Sequence, residues 1–334
     1  MRPKVAIVYN HPDPGRYGDM GEAKAVLGIM DEVEAVHGAL VELGYPVCIV
    51  PLNPPIEAAF GILRHLEADV VFNLFEGFDG RPETEYLVAG ELSRLGFRYT
   101  GCPSSALALA LDKARTKGML VTAGIATPRY QVRQADIFPV FKLLFPCVVK
   151  PCREDASHGL SEESLVSDTG ALERQVSKVC RLHGGEALVE EFVEGREFNV
   201  TVLGNNETQV LQVSEIEFSL PGSLPRLLTF DAKWEPESVY FQNTRAVCPA
   251  EITPALRARI GDIARLTFRL LGCRGYARVD MRQDAAGNLQ VLEVNPNPDI
   301  SPGTGAARQA LASGMTYAEF IEKIMSLAME TVQI

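Results

Sequence analysis

The constraint that narrows the fold most is the spacing of apolar runs in the first hundred residues. Val5–Tyr9, Val47–Leu52 and Asp69–Phe75 are short and almost uninterrupted by polar residues. Between the first two, a helical pattern spans Gly21–Leu43 and stops at Gly44, where a left-handed C-cap is expected. A strand buried on both faces reads as a continuous apolar run, and helices between such strands indicate a parallel sheet. The first domain is therefore expected to be Rossmann-like. Its first strand runs into His11-Pro12-Asp13-Pro14-Gly15 instead of G-x-G-x-x-G, which argues against a dinucleotide site. A Walker A loop is absent from the chain.

The pattern changes after residues 126–128. A Ser-capped helix from Ser104 to about Ala123 is followed by neighbouring strands at Cys147–Pro151, Ala187–Val193, Glu197–Leu203 and Thr208–Phe218. Helical stretches at Leu160–His183 and Pro254–Leu271 interrupt them. Gly275–Met281 and Leu289–Val294 flank a short turn containing Asp284 and Gly287-Asn288, and so read as a hairpin. Helices near Gly305–Ala312 and Thr316–Thr331 end the chain. This is α+β organisation following α/β. The stretch 219–247 is long, irregular and rich in Pro, Ser and Glu, as functional loops often are.

Charge and cysteine usage exclude some functions. A net charge of −11 argues against a general nucleic-acid or anionic-membrane binder. No stretch approaches the ~18 apolar residues of a membrane helix. The seven cysteines form no C-x-x-C pair, and their odd number reads as reduced thiols in a cytoplasmic protein.

The chemistry-bearing residues cluster late in the chain. Arg278 and Asp280 lie two apart on one strand, Glu293 and Asn295 two apart on the next, so each pair shares a face. Paired through the 284–288 turn, they bring an Asp, a Glu and an Asn together beside an Arg. Such hard oxygen donors suit Mg²⁺; the alternative is a solvent-facing, salt-bridged hairpin. Lys113 falls about halfway along its helix and Lys150 closes the apolar strand CVVKP. Each is either a surface lysine or a phosphate ligand, and the polar loop REDASHGL after Lys150 could cover phosphates. In LVEEFVEGREFNV, Glu190, Phe192, Val193 and Glu197 form either a plain hairpin or an inter-lobe hinge that could hold an adenine.

Taken together, these segments resemble the ATP-grasp superfamily, and within it the D-alanine–D-alanine ligases. YTG…ALALALDKARTK, VVKP.RE..S.G, VEEFVEGREF, ARVD and LEVN occur in the family's order over nearly the whole chain. The resemblance implies an ATP-grasp domain, about 102–334, behind a Rossmann-like domain, 1–101. Its sub-lobes would be about 115–190 and 191–334, with a lid at about 219–247. Lys113 and Lys150 would bind phosphate, with Ser157 in the loop over them. Glu190, Phe192 and Val193 would hold adenine, and Glu197 the ribose. Asp280, Glu293 and Asn295 would hold two Mg²⁺ ions, Mn²⁺ being the alternative. Arg278 would face an acylphosphate and Lys233 the γ-phosphate.

The implied activity is an ATP-dependent carboxylate–amine ligase acting on small molecules, in a cytoplasmic homodimer. An ATP-grasp kinase, a peptide- or protein-modifying ligase and a degenerate ATP sensor are the other readings. The sequence departs from the family pattern at four places. Glu22 is the nearest acid in HPDPGRYGDMGE; Ala156 precedes Ser157; Glu76 replaces a family histidine; and Pro296–Ser301 replaces a Thr-x-Pro-Gly-Met-Thr run. They imply a main product other than D-Ala-D-Ala.

Overall fold

The computed structural model describes residues 2–330 apart from 14, 79, 136–139, 155–156 and 223. Its first sheet contains β1 (Val5–Asn10), β2 (Val47–Leu52), β3 (Val70–Leu74) and β4 (Arg98–Tyr99). The order is β2-β1-β3-β4 and every pairing is parallel. Alternate residues feed the two faces. Ile7 and Phe72 face a core shared with Val36 and Leu40, while Val8 and Val71 face one containing Leu63 and Leu92. Phe320, Ile321 and Ile324 of the last helix, Tyr317–Met329, complete the first of these cores. Helix Tyr317–Met329 is thus packed on the first sheet.

The second sheet comprises β5 (Tyr130–Arg133), β6 (Cys147–Pro151), β7 (Leu165–Val166) and β8 (Ala187–Glu191), in the antiparallel order β5-β8-β6-β7. Leu172, Val176 and Val179, at helical spacing on Thr169–Leu182, cover Cys147, Val149 and Val189. The third sheet comprises β9 (Gly195–Gly204), β10 (Thr208–Val210), β11 (Ser214–Phe218), β12 (Thr244–Val247), β13 (Gly275–Asp284) and β14 (Leu289–Pro296). Its order is β12-β11-β9-β13-β14, with β10 on β9. Ile260, Ala264 and Phe268 of helix Pro254–Leu270, which has a Thr253 cap and Pro254 in its first turn, cover Val200, Val202 and Val279.

Several expected elements are divided. The 21–43 pattern is two helices, Ala23–Leu27 and Ile29–Glu42, meeting at Gly28. The 104–123 helix begins without a serine cap, after Pro103, and breaks at Asp112 into Ser104–Leu111 and Lys113–Thr122. Asp112 is extended and its carboxylate caps the Arg115 N–H at 3.0 Å, so Lys113 starts a helix instead of lying halfway along one. The 160–183 stretch opens with a 3₁₀ turn and β7 before its helix starts at Thr169. The 208–218 strand is β10 plus β11. The 219–247 stretch contains helices Phe230–Trp234 and Val239–Gln242 and ends in β12. Thr331, the expected end of the last helix, lies outside the described residues, as does Ala156. All seven cysteines are free thiols, and no described helix is long and apolar enough to cross a membrane.

Candidate active site

The β13–β14 hairpin sets Arg278 opposite Asn295 and Asp280 opposite Glu293. Ala277, Val279 and Met281 point into the core, so period-two alternation turns Arg278 and Asp280 to the other face. A bulge between Asp280 and Met281 shifts the register beyond them. Arg278 grips Asp280 with Nε and Nη2 at 2.8 and 2.9 Å, and the Asn295 amide donates to Asp280 Oδ2 at 2.9 Å.

Glu293 stands among cations. Burial by itself would raise its carboxyl, but Lys113, Lys150, Lys233 and Arg278 together hold it down, at about 2. Lys113 Nζ is 3.9 Å away and also donates to the Glu154 carbonyl at 2.5 Å. Burial and the neighbouring Arg278 lower the Lys233 ammonium, against the pull of Glu293, Asp280 and Glu197. Lys233 stands on the short Phe230–Trp234 helix, whose Thr229 cap accepts from Ala232 N.

The donor set fits a cation that is shared with phosphates. Among the described residues, no three His, Cys, Asp or Glu side chains form a self-sufficient metal centre. Two carboxylates and an amide oxygen are what Mg²⁺ takes when nucleotide oxygens complete its shell. Asp280 Oδ2 accepts from both Arg278 and Asn295, whereas Oδ1 accepts from Arg278 alone and retains a lone pair.

The other expected nucleotide residues sit beside this hairpin. Lys150 Nζ is 3.2 Å from Glu190 Oε2, and Lys117 Nζ is 3.0 Å from Glu190 Oε1. Burial pushes the Glu190 carboxyl up, but the two ammoniums outweigh it and lower it overall. Glu197 is buried and ion-paired to Arg282 at 2.7 Å. Arg282 also donates to the Val193 carbonyl at 2.9 Å and lies over the Phe192 ring at 4.8 Å, so one guanidinium touches three of the four residues expected at the hinge. Ser157 adopts a left-handed φ of 63° and its hydroxyl donates to the Leu228 carbonyl at 3.3 Å, joining the loop after β6 to the 219–247 stretch.

A cavity of about 760 Å³ runs from this hairpin to the carboxyl ends of β1 and β3. Glu197, Lys233, Arg278, Asp280, Glu293 and Asn295 line one end. Lys113, Lys150, Glu190, Phe192 and Val193 do not line it. At the other end, Glu32, Glu76 and Asp299 face one another. Glu32 accepts from the Ile300 N–H at 2.8 Å; burial, then Asp299 and Glu76, push its carboxyl well up. Glu22 reaches the loop after β6, contacting His158 Nδ1 at 2.6 Å and accepting from Gly159 N at 3.1 Å. Tyr17 stacks on His158 and donates to Glu154 at 2.6 Å.

Sequence reasoning passed over Lys117, Arg282, Glu32 and His158. Two of them left a local signal: Lys117 lies one helical turn after Lys113, and Arg282 lies on the same strand face as Arg278 and Asp280. Glu32 and His158 left none, because their partners are more than 100 residues away in the chain, Ile300 and Glu22 respectively.

The D-ala D-ala ligase C-terminus family model matches residues 122–326. A Sinorhizobium fredii protein described as uncharacterized protein y4sG is 35% identical over 306 residues, covering 88% of this chain and 86% of its own. The D-alanine–D-alanine ligase of Carboxydothermus hydrogenoformans is 31% identical over 307 residues, covering 89% of this chain and 92% of its own. Solved structures share the fold at lower identity. VanG D-Ala:D-Ser ligase from Enterococcus faecalis has a TM-score of 0.74 at 21% identity, over 98% of this chain and 100% of that one. D-alanine–D-alanine ligase from Bacillus anthracis complexed with ATP has a TM-score of 0.77 at 20% identity, over 98% and 97%. The chain therefore belongs to the D-alanine–D-alanine ligase family: it has the ATP-grasp fold and is an ATP-dependent ligase that joins a carboxylate to an amine through a C–N bond.

Proposed function

We propose that the reaction passes through an acylphosphate and that the main product is not D-Ala-D-Ala. A substrate carboxylate oxygen attacks the γ-phosphorus of ATP while the bond to ADP breaks. The amine nitrogen then attacks the acyl carbon, phosphate leaves, and the nitrogen loses a proton. No protein nucleophile is required; positioning and charge neutralisation supply the catalysis. The observation that carries this reading is the set of cations acting on Glu293: Lys113 at 3.9 Å, with Lys150, Lys233 and Arg278 adding their charge. Four cations about one carboxylate suit a polyphosphate and a developing acylphosphate. Asp280, Glu293 and Asn295 would hold Mg²⁺, which when bound neutralises phosphate oxygens. Arg278 and Lys233 face the reacting groups, while Lys113, Lys150 and Ser157 hold phosphates. Glu190, Phe192, Val193 and Glu197 form the nucleoside side, and the 219–247 stretch is the lid.

The finer reading rests on the far end of the cavity. D-alanine presents only a methyl side chain, for which a small apolar wall suffices. This wall is carboxylate-rich, and Glu76 and Asp299 belong to the segments in which the sequence leaves the family pattern. The substrates are amino-acid-like, as the names of the relatives suggest. ADP release measured over amino acids and dipeptides of either configuration and every charge type tests both readings. Amine-dependent ADP formation with a pair other than two D-alanines is expected. D-alanine as the best acid and amine would overturn the finer reading. ATP binding without stimulated turnover by any pair would favour a sensor, and a phosphorylated end product a kinase.

A further inference from the structure

Lys117 is 1% exposed, and the roles proposed above leave it unused. It shares the Glu190 carboxylate with Lys150, at 3.0 and 3.2 Å on opposite oxygens. Its ammonium also donates to Thr127 Oγ1 at 2.7 Å. The Thr127 hydroxyl donates to the Val291 carbonyl at 2.7 Å, and the Val291 N–H donates to the Ala126 carbonyl at 2.8 Å. Val291 lies two residues before Glu293 on β14. One chain of contacts thus runs from Lys150 through Glu190, Lys117 and Thr127 to the strand bearing the proposed metal ligands.

We propose that Lys117 is a positioning residue for the nucleotide: it neutralises Glu190, so that Lys150 is held in place yet keeps its positive charge for phosphate. Two ammoniums on one carboxylate leave a net charge of +1 facing the nucleotide; Lys150 alone on Glu190 leaves a closed, neutral pair. In a buried setting such a pair is hard to part, because each ion would lose its only compensation. Lys117 is charged at neutral pH. Burial lowers its ammonium, Glu190 raises it, Lys150 lowers it further, and it settles at about 8. Glu293 acts more weakly in the same sense as Glu190.

The inference rests on Lys150 being a phosphate ligand, and the test separates the two. ATP KM and kcat are measured for Lys117→Met, Glu190→Gln, Lys117→Met/Glu190→Gln and Lys150→Met, with circular dichroism to check folding. Lys117→Met keeps the volume and is expected to raise ATP KM about tenfold with kcat within about threefold, a loss of ground-state binding. Once Glu190→Gln has removed the carboxylate, adding Lys117→Met should change ATP KM by less than about threefold relative to Glu190→Gln alone. A double variant about tenfold worse than Glu190→Gln, or a Lys117→Met variant with unchanged KM, overturns the proposal. A role confined to packing would cost the same in either background. If Lys117→Met does not fold, the comparison of the double variant with Glu190→Gln decides alone: KM within about threefold of Glu190→Gln supports the proposal, and a rise beyond about tenfold overturns it. Unchanged ATP KM in Lys150→Met would instead sink the assignment of Lys150.

Discussion

Arg278 holds Asp280 through two parallel hydrogen bonds, 2.8 and 2.9 Å long, although the two residues are neighbours on one strand face rather than partners across a sheet. The pairing fixes the guanidinium plane, and the surrounding carboxylates Asp280, Glu293 and Asp299 raise its basicity against the effect of burial. Lysine cannot reproduce the fork. Arg278→Lys is expected to lower kcat about 100-fold while the thermal transition moves only slightly. Steady-state ADP release decides; kcat within threefold of wild type would remove Arg278 from the reacting centre.

Glu293→Gln and Asn295→Asp each alter the donor set without changing its shape. Both should retain the fold by circular dichroism and lose at least about 100-fold in turnover, at any Mg²⁺ concentration for Glu293→Gln. Wild-type rates in either variant would refute the metal assignment. Mg²⁺ titration of ATP-dependent turnover supplies the second readout, because a weakened site shifts the midpoint before it alters the plateau.

Glu32 makes a pH prediction. Its carboxyl is raised by burial, then by Asp299 and Glu76, so the folded state binds a proton more tightly than the unfolded state does. Stability therefore falls as pH rises from the ordinary carboxylate range, about 4.5, towards the folded value. Glu32→Gln keeps an acceptor for the Ile300 N–H and removes the charge. It should melt higher than wild type at pH 8, with the gain vanishing below about pH 4.5. Parallel melting curves at both pH values would show that Glu32 is not in the environment described.

Gly101 has a φ of +87°, and a Cβ there would lie 2.8 Å from Asn297 Cγ. Asn297 is itself left-handed, at φ 50°, and its Oδ1 accepts from the Cys102 N–H at 2.7 Å. This contact pins the Pro-Asn-Pro segment to the link between the first sheet and helix Ser104–Leu111. Gly101→Ala should cost about 2 kcal/mol through backbone strain, more if Asn297 is displaced. Chemical denaturation measures it, and a loss under 0.5 kcal/mol, the scale of an ordinary surface change, would contradict the close approach.

What the sequence determined by itself was local and periodic. Continuous apolar runs announced a buried parallel sheet. A short turn between two strands paired the segments that carry Asp280 and Glu293, while the bulge between Asp280 and Met281 that sets the two directly opposite left no mark in the sequence. Family order then supplied the fold. Tertiary structure decided everything that depends on which distant groups meet. The helix break at Asp112 turns Lys113 towards Glu293, and no propensity marks it, because the capping carboxylate and the break require each other. Lys117 meets Glu190 only because β8 is brought against its helix. Glu32, Glu76 and Asp299 come from three separate segments and meet only when the ends of β1 and β3 face the segment after β14. A buried charge is tolerated or costly according to its neighbours in space, and a pattern of residues along the chain holds no record of those.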